Sequence, residues 1–507
     1  MYCPRVRTGD KTIIITEKGK PLISEELCVG CGICIHRCPF DAIRIVGLPE
    51  ELSKDLLHQF GPNGFRLFRL PTPVEGKVIG LIGQNGIGKT TAIQILSGEV
   101  IPNLGELDVK PAWDWVLDKF AGSMLYEHFE KIANREIRTA LKPQYVDKIP
   151  KVAKGKVFDL LGKVNEFPTD ILDYVVSELE LKSVLARDIT QLSGGELQRV
   201  AIAATMLKDV DIYFFDEPSS YLDIHQRLKV AKLIHKLVAK KFVVIIEHDL
   251  AVMDFLADNV HMLYGEEGAY GVVAHPRPVR SGINTYLSGF LREENIRFRD
   301  KEIKFEPRPP RTRWRAGSLL EYNALEKRYN GFSLRTSPGV IHQGEVVGVV
   351  GPNATGKTTF VKMLAKIEKP TTGRIDVGLR VSYKPQYIKV DFDGTVEELY
   401  YSKLGDAFRS DFYLSEIERK LNLKPLYNRH LETLAGGELQ RVTIALALVR
   451  DADIYLIDEP SAYLDSNQRM EVAKTIRRVM ENRAKSAMIV DHDMYFIDLV
   501  SDSIMVF

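Results

Sequence analysis

Short apolar runs recur along this chain in one order, and the order is played twice. Residues 77–82 and 345–350 lead into glycine-rich turns, 212–215 and 454–457 lead into Asp-Glu-Pro, and 242–246 and 488–490 lead into segments ending His-Asp. Continuous apolar runs this short predict strands of a parallel sheet, with polar residues collected at their carboxyl ends. A helix-like segment follows each glycine-rich turn. From Gln144 to Glu217 and from Gln386 to Glu459 the separation is the same, 73 residues. From Lys89 to Gln144 it is 55, but from Lys357 to Gln386 only 29. The first half therefore carries extra residues near 107–135, where Trp113, Trp115, Phe120, Leu125, Phe129 and Ile132 fall at helical spacing and predict a helical hairpin.

Composition narrows the classes. The 507 residues suffice for three or more domains. With 69 basic and 68 acidic side chains the net charge of +1 neither announces nor excludes nucleic acid, so any basic surface is local. No apolar stretch approaches a membrane span and no signal-peptide core opens the chain. All five cysteines lie in the first 38 residues, which argues against disulfides and for a reducing compartment.

Those cysteines carry the first piece of chemistry. Cys28, Cys31, Cys34 and Cys38-Pro have the ferredoxin spacing, in which three thiolates hold one four-iron cluster and the fourth reaches to a second. A structural zinc site is the alternative use of four thiolates. Cys3, also followed by proline, reads as the end of a second such run. By the exchange rule it completes the cluster of Cys28, Cys31 and Cys34, while Cys38 serves another. One cluster is expected of the chain as it stands, two if residues precede it.

The second piece is a pair of phosphate-binding loops. Gly83, Asn85, Gly86, Gly88, Lys89, Thr90 and Thr91 in one half match Gly351, Asn353, Gly356, Lys357, Thr358 and Thr359 in the other. Backbone N–H groups and a helix N-terminus suit phosphates, the lysine suits the outer phosphates and the threonine hydroxyl suits Mg2+. Asp216 and Asp458 end strands where a carboxylate can hold Mg2+, with Gln144 and Gln386 and the threonines Thr90 and Thr358 as further candidates. Glu217 and Glu459 are placed to polarise water, and His248 and His492 to contact the γ-phosphate or that water. Ser193, Gly194 and Gly195, and Ala435, Gly436 and Gly437, open helices whose N-termini suit another anion. The order of these motifs resembles the ABC ATPase superfamily, in which each such helix faces the other cassette's nucleotide; the two halves would then close head to tail over two ATP molecules. Two departures stand out: Ala435 replaces the usual serine and Ala354 a loop glycine. A missing phosphate-bonding hydroxyl costs about 1–3 kcal/mol, so the site using Ala435 is expected to close less tightly or turn over more slowly.

Joined to a ferredoxin-like module, these cassettes closely resemble the ABC E family of ribosome-recycling ATPases, also called RNase L inhibitors. Supporting segments include the cysteine run, Asn63-Gly-Phe-Arg-Leu-Phe-Arg-Leu-Pro71, Leu141-Lys-Pro-Gln-Tyr-Val-Asp147 and Pro218-Ser-Ser-Tyr-Leu-Asp223. The resemblance implies an α/β fold with two ABC-type P-loop domains and an α+β ferredoxin-like domain. The domains expected are an iron-sulfur domain at 1–46, a first ATPase domain at 47–275, a hinge at 276–318 and a second ATPase domain at 319–507, with a further C-terminal hinge lying beyond the chain. It implies a cytoplasmic, monomeric factor that splits ribosomes after termination or rescue and stays on the small subunit and its rRNA, working with a termination or rescue factor and no membrane. It also implies adenine stacking on Phe60 and Phe65 in one half and Tyr329 and Phe332 in the other. The arginine-rich stretches at 275–284 and 292–315 become candidates for rRNA phosphates. Two other classes compete: the ATP-binding half of a membrane importer, and an ATP-coupled electron-transfer protein.

Overall fold

The strand before the first glycine-rich turn is wholly buried and that before the second is buried but for its last residue, Val350, as continuous apolar runs require. The structure is a computed structural model, and it describes residues 2–17, 19–25, 27–38, 43, 50–237, 241–299, 302–303, 317–329, 332–375, 378–386 and 392–507. The chain divides into two compact units, Met1–Ser219 with Lys229–Glu302, and Ser220–Leu228 with Ile303–Phe507.

The first unit begins with a small module: α1 (Pro4–Arg7), an antiparallel pair β1 (Ile13–Ile15) and β2 (Pro21–Ile23), and α2 (Ile33–Arg37). It is tied to the hairpin of β3 (Leu56–Gln59) and β4 (Arg66–Phe68). Asn63, at a left-handed φ of 55°, donates to Ile23 O and accepts from Ile23 N, both at 2.9 Å, and Arg66 pairs with Glu25 at 2.6 Å.

The main sheet adds β5 (Val78–Ile82), β6 (Thr139–Lys142), β7 (Ile212–Asp216), β8 (Phe242–Ile246), β9 (Asn259–Glu266) and β10 (Tyr270–Val273), in the order β3-β4-β10-β9-β5-β8-β7-β6. From β9 to β6 every pairing is parallel, so the carboxyl ends of β5, β6, β7 and β8 share one edge. Helix α3 (Lys89–Leu96) follows β5. The extra residues form the hairpin α4 (Trp113–Phe120) and α5 (Met124–Ala133), whose Val116, Leu125 and Phe129 are buried with Ile93 and Leu96 of α3. Phe129 stacks against Trp113 and Phe120 at centroid distances of 5.9 and 5.1 Å, so the hairpin's apolar stripe packs on its own cassette. A helical layer follows, α6 (Ile149–Val152), α7 (Val157–Val164), α8 (Thr169–Glu178) and α9 (Gly194–Met206). The helices α10 (Ile224–Leu237) and α11 (Leu250–Leu256) come after β7 and β8.

Residues 276–299, within the segment expected as hinge, carry elements that group with the first unit. β11 (Arg277–Pro278) pairs with β9, α12 (Val279–Ser288) buries Gly282 and Tyr286, and β12 (Phe290–Leu291) pairs with β13 (Ile296–Arg297). Burial of Tyr286 and Leu291 overrides the polar composition that suggested a linker. Two of the arginines here serve internally: Arg277 pairs with Glu293, and Arg299 donates to Tyr286 O at 2.8 Å. Residues 304–316, with the rest of the arginine run, lie outside the described residues.

The second unit holds two antiparallel pairs, β14 (Ser318–Tyr322) with β17 (Gly339–His342) and β15 (Leu325–Tyr329) with β16 (Phe332–Thr336). Beside them lies a parallel sheet of β18 (Val346–Val350), β19 (Val381–Lys384), β20 (Ile454–Asp458), β21 (Ser486–Val490) and β22 (Ser503–Val506), in the order β19-β20-β21-β18-β22. Helices α13 (Lys357–Leu364), α14 (Val396–Leu404) and α15 (Gly436–Val449) match α3 and the helical layer of the first unit. Among the described residues no helix is long and apolar enough to cross a membrane.

Candidate active sites and cluster pocket

Each phosphate loop is shaped by backbone that only glycine adopts easily. Gly86 and Gly88 have φ of 71° and 92°, and a Cβ on Gly88 would stand 2.8 Å from the Phe65 ring. That closeness puts Phe65 beside the loop; Phe60 is 52 % exposed, its ring 6.4 Å from that of Phe65. In the second unit Gly356 has φ of 102° with the Phe332 ring 3.1 Å from its would-be Cβ, and Tyr329 stacks on Phe332 at 6.3 Å. Ala354 also sits at a left-handed φ, 62°, where the first loop has Gly86. Lys89 donates to the carbonyls of Gly83 and Gln84 at 2.9 and 2.6 Å, and Lys357 donates likewise to Gly351 and Pro352. Thr91 and Thr359 lie in the first turns of α3 and α13. Within the second unit the Asn353 N–H donates to Asp223 Oδ2 at 2.8 Å.

The strand ends gather the rest. In the first unit Thr90 Oγ1 donates to Asp216 Oδ2 at 3.1 Å, Gln144 Nε2 donates to Glu217 Oε1 at 2.5 Å, and His248 Nε2 stands 3.7 Å from that same Oε1. In the second, Gln386 Nε2 donates to Glu459 Oε1 at 2.6 Å and His492 Nε2 lies 3.9 Å from it. Glu217 and Glu459 both occupy left-handed backbone, φ 49° and 46°, which costs an L-residue on the order of 1–2 kcal/mol. Asp458 is fully buried and neither of its carboxylate oxygens makes a hydrogen bond of normal geometry; burial raises its proton affinity, against the pull of nearby Thr358. An orphaned buried carboxylate beside a threonine fits a hydrated cation better than it fits a protein partner.

Burial sets the local proton affinities. Asp216 is pushed up to about 6 by burial and then by Glu217, against the pull of Lys142, Thr90 and Lys89. Glu459 keeps a side-chain exposure of 21 % at the lip of its site, but the surrounding protein and then Asp458 and Asp491 push it up to about 7. His492 is held neutral, down to about 3, by burial and then by the Lys357 and Arg227 charges.

At the helix starts, Ser193 accepts from Glu196 N at 3.4 Å while its own N–H donates to Glu196 Oε2 at 2.8 Å, a reciprocal cap. Ala435 keeps only the second bond, to Glu438 at 2.8 Å. Gly436 and Gly437 face Tyr463, whose ring and carbonyl would lie 3.0 and 2.8 Å from added Cβ atoms.

Several site residues escaped the sequence reading. Lys142 and Lys384, buried at the ends of β6 and β19, donate to the carbonyls of both acidic residues of each Asp-Glu-Pro. Gln198 and Gln440 add a bond to the glutamate carbonyls. Glu247 and Asp491 accept the N–H groups of Ser219 and Ser461, fastening each Asp-Glu-Pro loop to the histidine strand. Their signal was repetition: Lys-Pro-Gln-Tyr recurs, and each histidine follows an acid.

Cys3, Cys28, Cys31 and Cys34 line one pocket with Thr12, Ile13, Ile23 and Val29, and Cys38 is not among its lining residues. Among the described residues no three Cys, His, Asp or Glu side chains converge on a single-ion position, so four cysteines around a pocket suit the wider four-iron cluster better than zinc.

Comparison with known proteins agrees with this geometry. The family model described as ABC transporter matches residues 72–220 and 335–462, and that described as 4Fe-4S binding domain matches 21–44. An uncharacterized ABC transporter ATP-binding protein of Methanocaldococcus jannaschii is 54 % identical over 100 % of this chain and 84 % of its own length. ABC transporter E family member 1 of Arabidopsis thaliana is 44 % identical over 100 % of this chain and 85 % of its own. The chain belongs to the ABC E family. It is an ATPase that binds ATP and an iron-sulfur cluster. A solved structure described as a model of ribosome-bound archaeal Pelota and ABCE1 contains a chain 52 % identical, matching with a TM-score of 0.94 over 100 % of this chain and 85 % of that one. Another, of the archaeal ribosomal stalk protein aP1 with archaeal ribosome recycling factor aABCE1, matches at TM-score 0.84 and 52 % identity over 90 % of this chain and 88 % of that one.

Proposed function

We propose that this ATPase is a cytoplasmic ribosome-recycling factor that uses two nucleotide sites to drive the subunits apart after termination or rescue and then stays on the small subunit. The observation that carries the reading is likeness along the whole chain, cluster module included, to a chain solved with a ribosome, and over 90 % of it to one solved with a ribosomal stalk protein. An importer's ATPase half has no use for the ferredoxin-like module.

In each site the phosphate-loop N–H groups and Lys89 or Lys357 bind the β- and γ-phosphates. Thr90 with Asp216, and Thr358 with Asp458, are the residues that would hold Mg2+, with Gln144 and Gln386 adjacent through their side-chain carbonyls. Mg2+ neutralises charge that develops between the β- and γ-phosphates. Glu217 and Glu459 orient and polarise the attacking water, Gln144 and Gln386 fix the carboxylate that does so, and the neutral His492, like His248, contacts the γ-phosphate or the water. Phe65 and Phe60, and Tyr329 and Phe332, offer faces for adenine. Site one is that of Lys89 and Glu217 and site two that of Lys357 and Glu459; the resemblance to ABC ATPases implies that site one would also use Ala435, Gly436 and Gly437, and site two Ser193, Gly194 and Gly195. Cys3, Cys28, Cys31 and Cys34 hold one four-iron cluster, whose chemistry is that of a thiolate-bound cubane. By the exchange rule Cys38 would serve a second cluster only where further ligands are supplied for it.

Sedimentation of ribosomes tests the reading. Anaerobically purified chain with ATP splits them into subunits, and the Glu217→Gln, Glu459→Gln double variant co-sediments with small subunits in ATP. Failure to associate in every nucleotide state would overturn it.

A further inference from the structure

Lys142 and Lys384 are among the largest fully buried side chains of the chain, yet they face neither solvent nor a phosphate loop. Each reaches across from a sheet-edge strand to main chain. Lys142 Nζ donates to Asp216 O at 2.8 Å and Glu217 O at 3.1 Å; Lys384 Nζ donates to Asp458 O at 2.7 Å and Glu459 O at 3.2 Å. The glutamate carbonyl is shared: Gln198 Nε2 reaches Glu217 O at 2.7 Å and Gln440 Nε2 reaches Glu459 O at 2.6 Å. Those glutamines stand on α9 and α15, the helices opened by the two Gly-Gly pairs.

One Asp-Glu-Pro segment thus joins three elements: the strand that ends at Lys142 or Lys384, two residues before Gln144 or Gln386, the strand that carries the metal-site aspartate, and the signature helix. The same segment holds its glutamate in left-handed backbone, an arrangement that persists only where surrounding contacts over-determine it. Charged donation to two successive carbonyls is such a constraint. Because Lys142 precedes Gln144 by two residues, any shift of that segment acts on Glu217 at both ends, through its carbonyl and through its carboxylate.

We propose that Lys142 and Lys384 are positioning residues for hydrolysis, clamping the Asp-Glu peptide so that Glu217 and Glu459 point at the attacking water and move with the signature helix. The inference rests on those glutamates being the water-polarising groups.

The test isolates one site in the full chain. In a Glu459→Gln background, where only site one turns over, Lys142→Met is compared with its parent for kcat, KM, equilibrium binding of a fluorescent ATP analogue with Mg2+, and thermal midpoint. The expected result is a fall in kcat of about 10- to 100-fold, the scale of a misoriented catalytic group, with KM and analogue affinity changed less than about threefold. Added to Glu217→Gln, the same substitution lowers the residual single-turnover rate less than about twofold, because both act through one carboxylate. Unchanged kcat, affinity falling in step with kcat, or additive losses would overturn the proposal. If Lys142→Met does not fold, Lys142→Gln, which keeps a neutral donor, is read by the same split. The mirrored experiment uses Lys384→Met with Glu217→Gln. Full turnover by Glu217→Gln in the Glu459→Gln background would remove the assignment of the glutamate itself, whereas full turnover by Lys142→Met alone removes only this inference.

Discussion

At the residue scale the two halves differ where single side chains meet backbone. Ala354 holds a left-handed φ that its counterpart Gly86 adopts at no steric cost. Ala354→Gly is therefore expected to stabilise the second unit by about 1 kcal/mol, read as a higher thermal midpoint in the absence of nucleotide. Ala435 lacks the hydroxyl that makes the Ser193 cap reciprocal. Ala435→Ser should gain about 1 kcal/mol at the start of α15 and, in the composite reading, raise turnover at site one several-fold; assays of the chain carrying Glu459→Gln report that site alone. Glu459 makes a pH prediction. The folded carboxyl keeps its proton up to about 7, whereas the ordinary value is 4.5, so between those values the folded state binds more protons than the unfolded one. Its contribution to stability therefore falls as pH rises through that window. Without nucleotide or Mg2+, the drop in thermal midpoint between pH 5 and 7.5 should be smaller in Glu459→Gln than in the parent. An equal drop would show that another group is responsible.

At the element scale the insertion was legible because its apolar residues keep helical spacing, and α4 and α5 fall within the expected 107–135. Which surface the stripe covers was not legible. It covers α3, and Phe129, fully buried between Trp113 and Phe120, is its centre. Phe129→Ala should destabilise the first unit by about 3–5 kcal/mol, measured by denaturant unfolding, the usual cost of deleting a buried ring. Residues 276–299 taught the opposite lesson. Proline, arginine and glycine suggested a linker, but strand β11 on β9 and buried Tyr286 on α12 make them part of a core. Composition reports average polarity, and a short helix with two buried contacts hides inside it.

At the scale of the whole molecule, function depends on joining a cluster module to two cassettes. The Asn63 and Arg66 contacts to Ile23 and Glu25 attach that module at the hairpin that also carries Phe65. The placement of Cys3 in the pocket with Cys28, Cys31 and Cys34 gives a direct prediction. Anaerobically purified Cys3→Ser should lose most of the iron and visible absorbance associated with that pocket, while Cys38→Ser should keep it. Equal losses in both would remove the exchange arrangement.

The sequence by itself determined the chemistry that depends on local order. Phosphate loops, strand-ending acids and cysteine runs work through neighbours a few residues apart, so their spacing is their geometry, and a twofold repeat made each of them readable. Tertiary structure alone decided what depends on distant segments meeting. Lys142 came to two carbonyls more than 70 residues away, and Gln198 to one of them from another helix. A buried lysine does not show in its neighbours what it will meet, because the partner that makes its burial possible is supplied only when the sheet and its helices assemble.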